Sequence, residues 1–93
     1  MHFSGIIVTA RPQELADTSH RVDAVPGVEV HYLDPEGGRI VAVLETETLE
    51  EQQEGLRRLQ ELPGVLAAAL VEHRSEELGA TGTENEQENR FDE

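Results

Sequence analysis

Chemistry in this chain would have to come from four histidines, twenty acids and seven basic residues, because there is no cysteine. Disulfides, thiolate metal sites and thiol catalysis are therefore excluded. His2, His20, His31 and His73 fall on different predicted elements with no short ligand spacing, so they read as solvated side chains rather than a metal centre. General acid–base catalysis needs two positioned carboxylates, or a histidine with an orienting partner, and no acid pair is marked as buried. Glu45, Glu47, Glu50, Glu51 and Glu54 lead into a predicted helix. There the N-terminal dipole favours negative charge, and a capped, solvated face explains them, with a contact to a cationic partner as a secondary role. The expectation is a binding protein, not an enzyme.

The elements that position these groups must fit in 93 residues, enough for one domain with a modest core. The apolar opening Phe3 to Val8 is too short to span a bilayer, lacks a basic flank and precedes no small-residue cleavage site, so a cytoplasmic location is expected. A net charge of −13 opposes binding to nucleic acid or anionic lipid and favours a cationic partner. Residues 74–93 hold seven acids and two arginines and few large apolar side chains, which predicts a disordered acidic tail behind a domain at residues 1–73. The domain is acidic in its own right.

A β-branched segment from about Phe3 to Ala10 predicts a strand, and Pro12 suits the first turn of a following helix. Leu15, Ala16, Val22 and Val25 recur at helical spacing until Pro26-Gly27 stops the pattern. Val28 to Leu33 alternates as a strand, Asp34-Pro35-Glu36-Gly37-Gly38 has hairpin chemistry, and Arg39 to Thr46 returns. Leu49, Leu56, Leu59 and Leu62 mark one face of a second helix, and Pro63-Gly64 ends it before the apolar strand Val65 to Val71. Val25-Pro26-Gly27-Val28 and Leu62-Pro63-Gly64-Val65 repeat at an offset of 37 residues, each joining a helix to a strand. Two strand–helix–strand units fused through a hairpin predict an α+β, ferredoxin-like βαββαβ sandwich, with a four-stranded antiparallel sheet and both helices on one face.

With helices on one side only, the strands alternate between the helix layer and an open face. The charged flanks of the third strand predict that Arg39, Val41, Val43 and Glu45 face away from the helices. Carrying that orientation through the repeat offset places Ser4, Ile6 and Val8 on the open face, with Leu66, Ala68 and Leu70 of the last strand and Glu29 and His31 of the second. The expected site is an apolar platform of Ile6, Val8, Val41, Val43, Leu66 and Leu70 with acids around it, larger than a monomer leaves in water. The alternatives are a dimer interface, or an inverted orientation that puts these residues in the core. An acidic rim beside an apolar surface matches a peptide whose arginines adjoin a hydrophobic stretch, the composition of an export signal peptide.

Ser4-Gly5-Ile6-Ile7-Val8, Pro26-Gly27-Val28-Glu29-Val30 and Gly64-Val65-Leu66-Ala67-Ala68-Ala69-Leu70-Val71-Glu72-His73 resemble the NapD family, over about residues 3–73. The resemblance implies a cytoplasmic chaperone, monomer favoured, that binds the twin-arginine signal peptide of the catalytic subunit of periplasmic nitrate reductase through its sheet. It implies that export waits until folding and molybdenum cofactor insertion are complete, and that the chaperone itself needs no cofactor. Two rivals share the fold. An ACT-like regulatory domain would bind an amino acid at a dimer interface. An acylphosphatase-like enzyme would use Arg11, but the glycine-rich cradle of that chemistry is missing.

Overall fold

The computed structural model describes residues 1–75, so the acidic segment expected to be disordered lies outside the described residues apart from Arg74 and Ser75. The element order is β1 (His2–Ala10), a 3₁₀ turn (Pro12–Glu14), α1 (Leu15–Asp23), β2 (Val28–Asp34), β3 (Arg39–Thr46), α2 (Leu49–Glu61) and β4 (Val65–Ser75). The strands form one antiparallel sheet in the order β2-β3-β1-β4, with the helices packed on one side. This is the predicted ferredoxin-like arrangement. β4 runs past its apolar stretch to Ser75 because His73, Arg74 and Ser75 pair with Ser4, Phe3 and His2 of β1.

The two Pro-Gly junctions are equivalent turns. Val28 N–H donates to the Val25 carbonyl at 3.0 Å, and Val65 N–H to that of Leu62 at 3.2 Å. Gly27 has φ 85° and Gly64 φ 91°, the left-handed backbone that the position after proline requires in a type II turn. A side chain at Gly27 would also stand 2.6 Å from the Glu45 carbonyl oxygen, so this turn closes directly onto β3.

Helix α2 opens with a capping box: Glu51 N–H donates to Thr48 Oγ1 at 3.1 Å, while the Glu51 carboxylate accepts from Thr48 N–H at 3.3 Å. Its buried face departs from the expected leucine stripe. Leu49 is exposed, and the face is built from Gln52, Gly55 and Leu59, with Leu56 and Leu62 packed beside the core. Apolar periodicity misses Gln52 because its polarity is fully answered inside the protein. Its amide nitrogen donates to the carbonyls of His2 and Leu44 and to Thr46 Oγ1, each at 3.0 Å, and its carbonyl oxygen accepts from the Ser4 hydroxyl. Gly55 lets the helix descend onto Leu44, whose methyl would lie 2.7 Å from any added Cβ.

Strand register decides which side chains meet the helices. Ile6 pairs with Ala42, Val8 with Ile40 and Ser4 with Leu44, and all six are buried in the core. The prediction for β3 therefore holds, since Ile40, Ala42 and Leu44 face the helices while Val41 and Val43 face away. The prediction for β1 is inverted: Ile6 and Val8 are 0 % exposed and form the centre of the core. The reason is one residue. The repeat offset is set by the helix-to-strand turns, whereas β1 reaches its helical segment through Arg11 alone and β3 reaches α2 through Glu47 and Thr48. With a side-chain period of two, that difference reverses every residue of the strand.

Three substitutions test this framework. Gln52→Leu strands the Ser4 hydroxyl and two carbonyls in a buried setting and should cost about 2–4 kcal/mol, read as a lower urea midpoint. Ile6→Lys should prevent folding while Val43→Lys leaves the circular dichroism spectrum and unfolding midpoint close to those of the parent chain. Equal damage from both would sink the face assignment.

Candidate functional site

The open face can be written as rows running across the sheet from the antiparallel register. Glu45, Phe3 and Arg74 form the first row, and Glu29, Val43, Gly5 and Glu72 the second. Tyr32, Val41, Ile7 and Ala69 form the third, and Asp34, Arg39, Thr9 and Ala67 the fourth. The middle is apolar: Val41, Val43 and Ile7 are half-buried by one another, and Tyr32 is 62 % exposed. An apolar platform therefore exists on this face, as expected, but with a different membership.

Of the expected platform residues, Val41 and Val43 lie on the open face, with Glu29 and Glu45 at its margin. His31 occupies the irregularity between Val30 and Tyr32, and its Nε2 stands 3.7 Å from the Glu29 carboxylate. Ile6, Val8 and Ala68 are corrected to the core, where Ala68 pairs with Val8 and is 7 % exposed. Leu70 pairs with Ile6, so it belongs to the helix side of an edge strand; it is 43 % exposed there. Leu66 is also exposed, at the register shift between Thr9 and Ala10. Their places on the platform are taken by Phe3, Ile7, Tyr32, Ala67 and Ala69. The signal that could have found them is pairing parity, since an antiparallel partner of Val41 must share its face.

A depression of about 270 Å³ opens on this face, lined by Phe3, Ser4, Gly5, Val43, Glu72 and Arg74. Gly5 forms its floor by having no side chain, in a position where an added Cβ would make only ordinary contacts, 3.6 Å from Val71 Cγ2 and 3.8 Å from Glu72 Cβ. Arg74 Nη2 lies 3.3 Å from Glu72 Oε2 at the rim. At the opposite end, Arg39 Nη2 is 3.1 Å from Asp34 Oδ2. Hydrogen bonds from the Gly37 backbone and from Arg39 hold the Asp34 carboxyl below the usual carboxylate range, so that acid is committed within the fold.

The register also brings together two histidines that their sequence positions had kept apart. His2 and His73 stack with ring centroids 5.2 Å apart, and His2 Nδ1 is 3.1 Å from His73 Nε2. Among the described residues no group of three or more histidines and acids is placed to hold a metal ion, and no helix is long and apolar enough to cross a membrane.

A second groove, of about 450 Å³, runs between the Pro26-Gly27 turn and the start of α2, and includes Glu45, Glu47, Glu51, Glu54 and Arg58. Glu54 is already bound to Arg57 at 2.6 Å and to Arg58 at 3.2 Å, contacts that lower its pKa. Glu51 is occupied by the capping box. Two of its four carboxylates are therefore occupied within the fold, while Glu45 and Glu47 make no ion pair among the described residues.

Comparison with known proteins places this architecture. The family model described as NapD protein matches residues 1–77. The chain is 34 % identical over 74 residues to the chaperone NapD of Escherichia coli K12, covering 80 % of this chain and 85 % of that relative. It is 38 % identical over 71 residues to the chaperone NapD of Paracoccus pantotrophus, covering 76 % of this chain and 62 % of that one. The solution structure of the E. coli Tat proofreading chaperone protein NapD superposes with a TM-score of 0.72 at 29 % identity, over 94 % of this chain and 92 % of that structure. A ferredoxin-like sandwich with an apolar, acid-flanked sheet face and this degree of likeness belongs to the NapD family, a family of chaperones and not of enzymes.

Proposed function

We propose that this chain is a cytoplasmic, monomeric chaperone that binds the twin-arginine signal peptide of the catalytic subunit of periplasmic nitrate reductase. Binding would delay export until that subunit has folded and received its molybdenum cofactor. The observation that carries the proposal is the open face of the sheet, where Val41, Val43 and Ile7 make an apolar centre beside Glu29, Glu45 and Glu72. A peptide with arginines next to a hydrophobic stretch finds a complement for each part there. Family membership supports this reading over an ACT-like amino-acid-binding domain, and the description of the E. coli relative as a Tat proofreading chaperone supports a signal peptide as the ligand class.

Binding requires no chemical step. Apolar burial on the platform supplies most of the affinity, at roughly 25 cal/mol per Å² removed from water. Carboxylate–guanidinium contacts set which peptide is accepted and speed the encounter with a chain of net charge −13.

Calorimetric titration of the full chain with a twin-arginine signal peptide of nitrate reductase tests the proposal, in parallel with the same peptide carrying two alanines for the arginines. The arginine peptide should bind with a negative heat-capacity change, and the alanine peptide about tenfold or more weakly. Val43→Lys should abolish binding of both. Failure of a folded chain to bind either peptide would remove the signal-peptide reading.

A further inference from the structure

The open face is electrically lopsided. Its Phe3 end carries the carboxylates of Glu29, Glu45 and Glu72 against the single guanidinium of Arg74, whereas its Thr9 end carries Asp34 against Arg39. Asp34 is tied to Arg39 and to the Gly37 backbone. Glu45 makes no ion pair among the described residues, and the side chains of Glu72 and Arg74 are 65 % and 66 % exposed, leaving their contact open to exchange. The apolar residues are also ordered along the strands. Phe3 and Val43 share the first two rows with the acids, Tyr32, Val41, Ile7 and Ala69 form a third row without a charged side chain, Ala67 lies in the fourth, and the depression over Gly5 stands at the acidic end.

We infer that the face accepts its peptide in one polarity. The arginines lie at the Phe3 end among Glu29, Glu45 and Glu72, and the hydrophobic stretch runs over Ile7, Val41 and Ala69 towards Thr9. The inference rests on the signal-peptide reading and adds a direction to it. From Phe3 to Thr9 the face is about 20 Å long, enough to separate a charged segment from an apolar one. In the reverse orientation the arginines would meet Arg39 and an Asp34 already occupied, while apolar side chains would have to desolvate three carboxylates. Arg74 acts as a placeholder on Glu72, sparing that carboxylate a bare approach to the apolar floor until a peptide guanidinium displaces it.

The test uses the full chain, isotopically labelled for amide spectroscopy, and twin-arginine peptides carrying a nitroxide either just before the arginines or at the far end of the hydrophobic stretch. The first label should broaden the amides of Phe3, Gly5 and Glu72, and the second those of Thr9, Arg39 and Ala67. In calorimetry, neutralising Glu45 and Glu72 together to glutamine should weaken the arginine peptide about tenfold and leave the alanine peptide unchanged, and Asp34→Asn should have less than about twofold effect. Arg74→Ala should tighten the arginine peptide about twofold to threefold. Binding with the two broadening patterns exchanged, or with both labels broadening both ends equally, would overturn the polarity while leaving the signal-peptide reading intact. Broadening confined to the helices, or no binding at all, would overturn both.

Discussion

The side-chain amide of Gln52 is the joint on which the sheet's two faces are decided. It reaches from α2 to the carbonyls of His2 and Leu44, to Thr46 and to Ser4, so one helix residue clamps β1 and β3 together from the inner side. A buried amide is tolerated only when its donors and acceptor are met, and meeting them requires the even-numbered residues of both central strands to point inward. Gly55 and Leu59 then seat the rest of the helix on Leu44 and its neighbours. Once Ile6, Val8, Ala42 and Leu44 are enclosed, Ile7, Val41 and Val43 have nowhere to go but the open face. The surface available to a partner is thus a by-product of how the core was closed.

Much of this was readable from the residues. The repeated Pro-Gly turns, the hairpin at Asp34 to Gly38 and the alternation of β3 marked every element and its order, because each is a local signal with a local cause. The orientation of β1 was not readable by repeat offset, since the strands align with their helices through connections that differ by one residue. A continuous apolar run such as Ser4 to Val8 carries no charged flank to reveal the difference, whereas Arg39 and Glu45 supplied one for β3. The inner face of α2 escaped for another reason: hydrophobic spacing favoured Leu49, while close approach and hydrogen bonding selected Gly55 and Gln52. The stacking of His2 on His73 depends on residues far apart in the chain and became visible only with the β1–β4 register.

The site itself follows a division of labour between shape and charge. Its half-buried apolar residues Ile7, Val41 and Val43 sit on the two central strands, where neighbouring side chains hold them in place. Its acids lie towards the strand ends and on the outer strands, where water remains available and the desolvation cost is small. All seven cationic side chains are arginines, and those on the open face, Arg39 and Arg74, are each engaged with a neighbouring acid. What remains free to attract a partner is negative.

The outer strand β4 gives the fold a further property. From Val65 to Val71 it presents seven consecutive apolar residues at the margin of the sheet; among the described residues β1 is the one strand paired with it, and Gln60 of α2 caps its Ala68 carbonyl with a 3.1 Å hydrogen bond. Such an edge templates sheet-to-sheet association, and beyond that single amide cap the safeguard is long-range repulsion between like-charged molecules. Colloidal solubility is therefore tied to ionisation of the carboxylates. Acidification or concentrated salt removes the repulsion while leaving the edge intact, so self-association along the edge would set in before the sandwich itself unfolds.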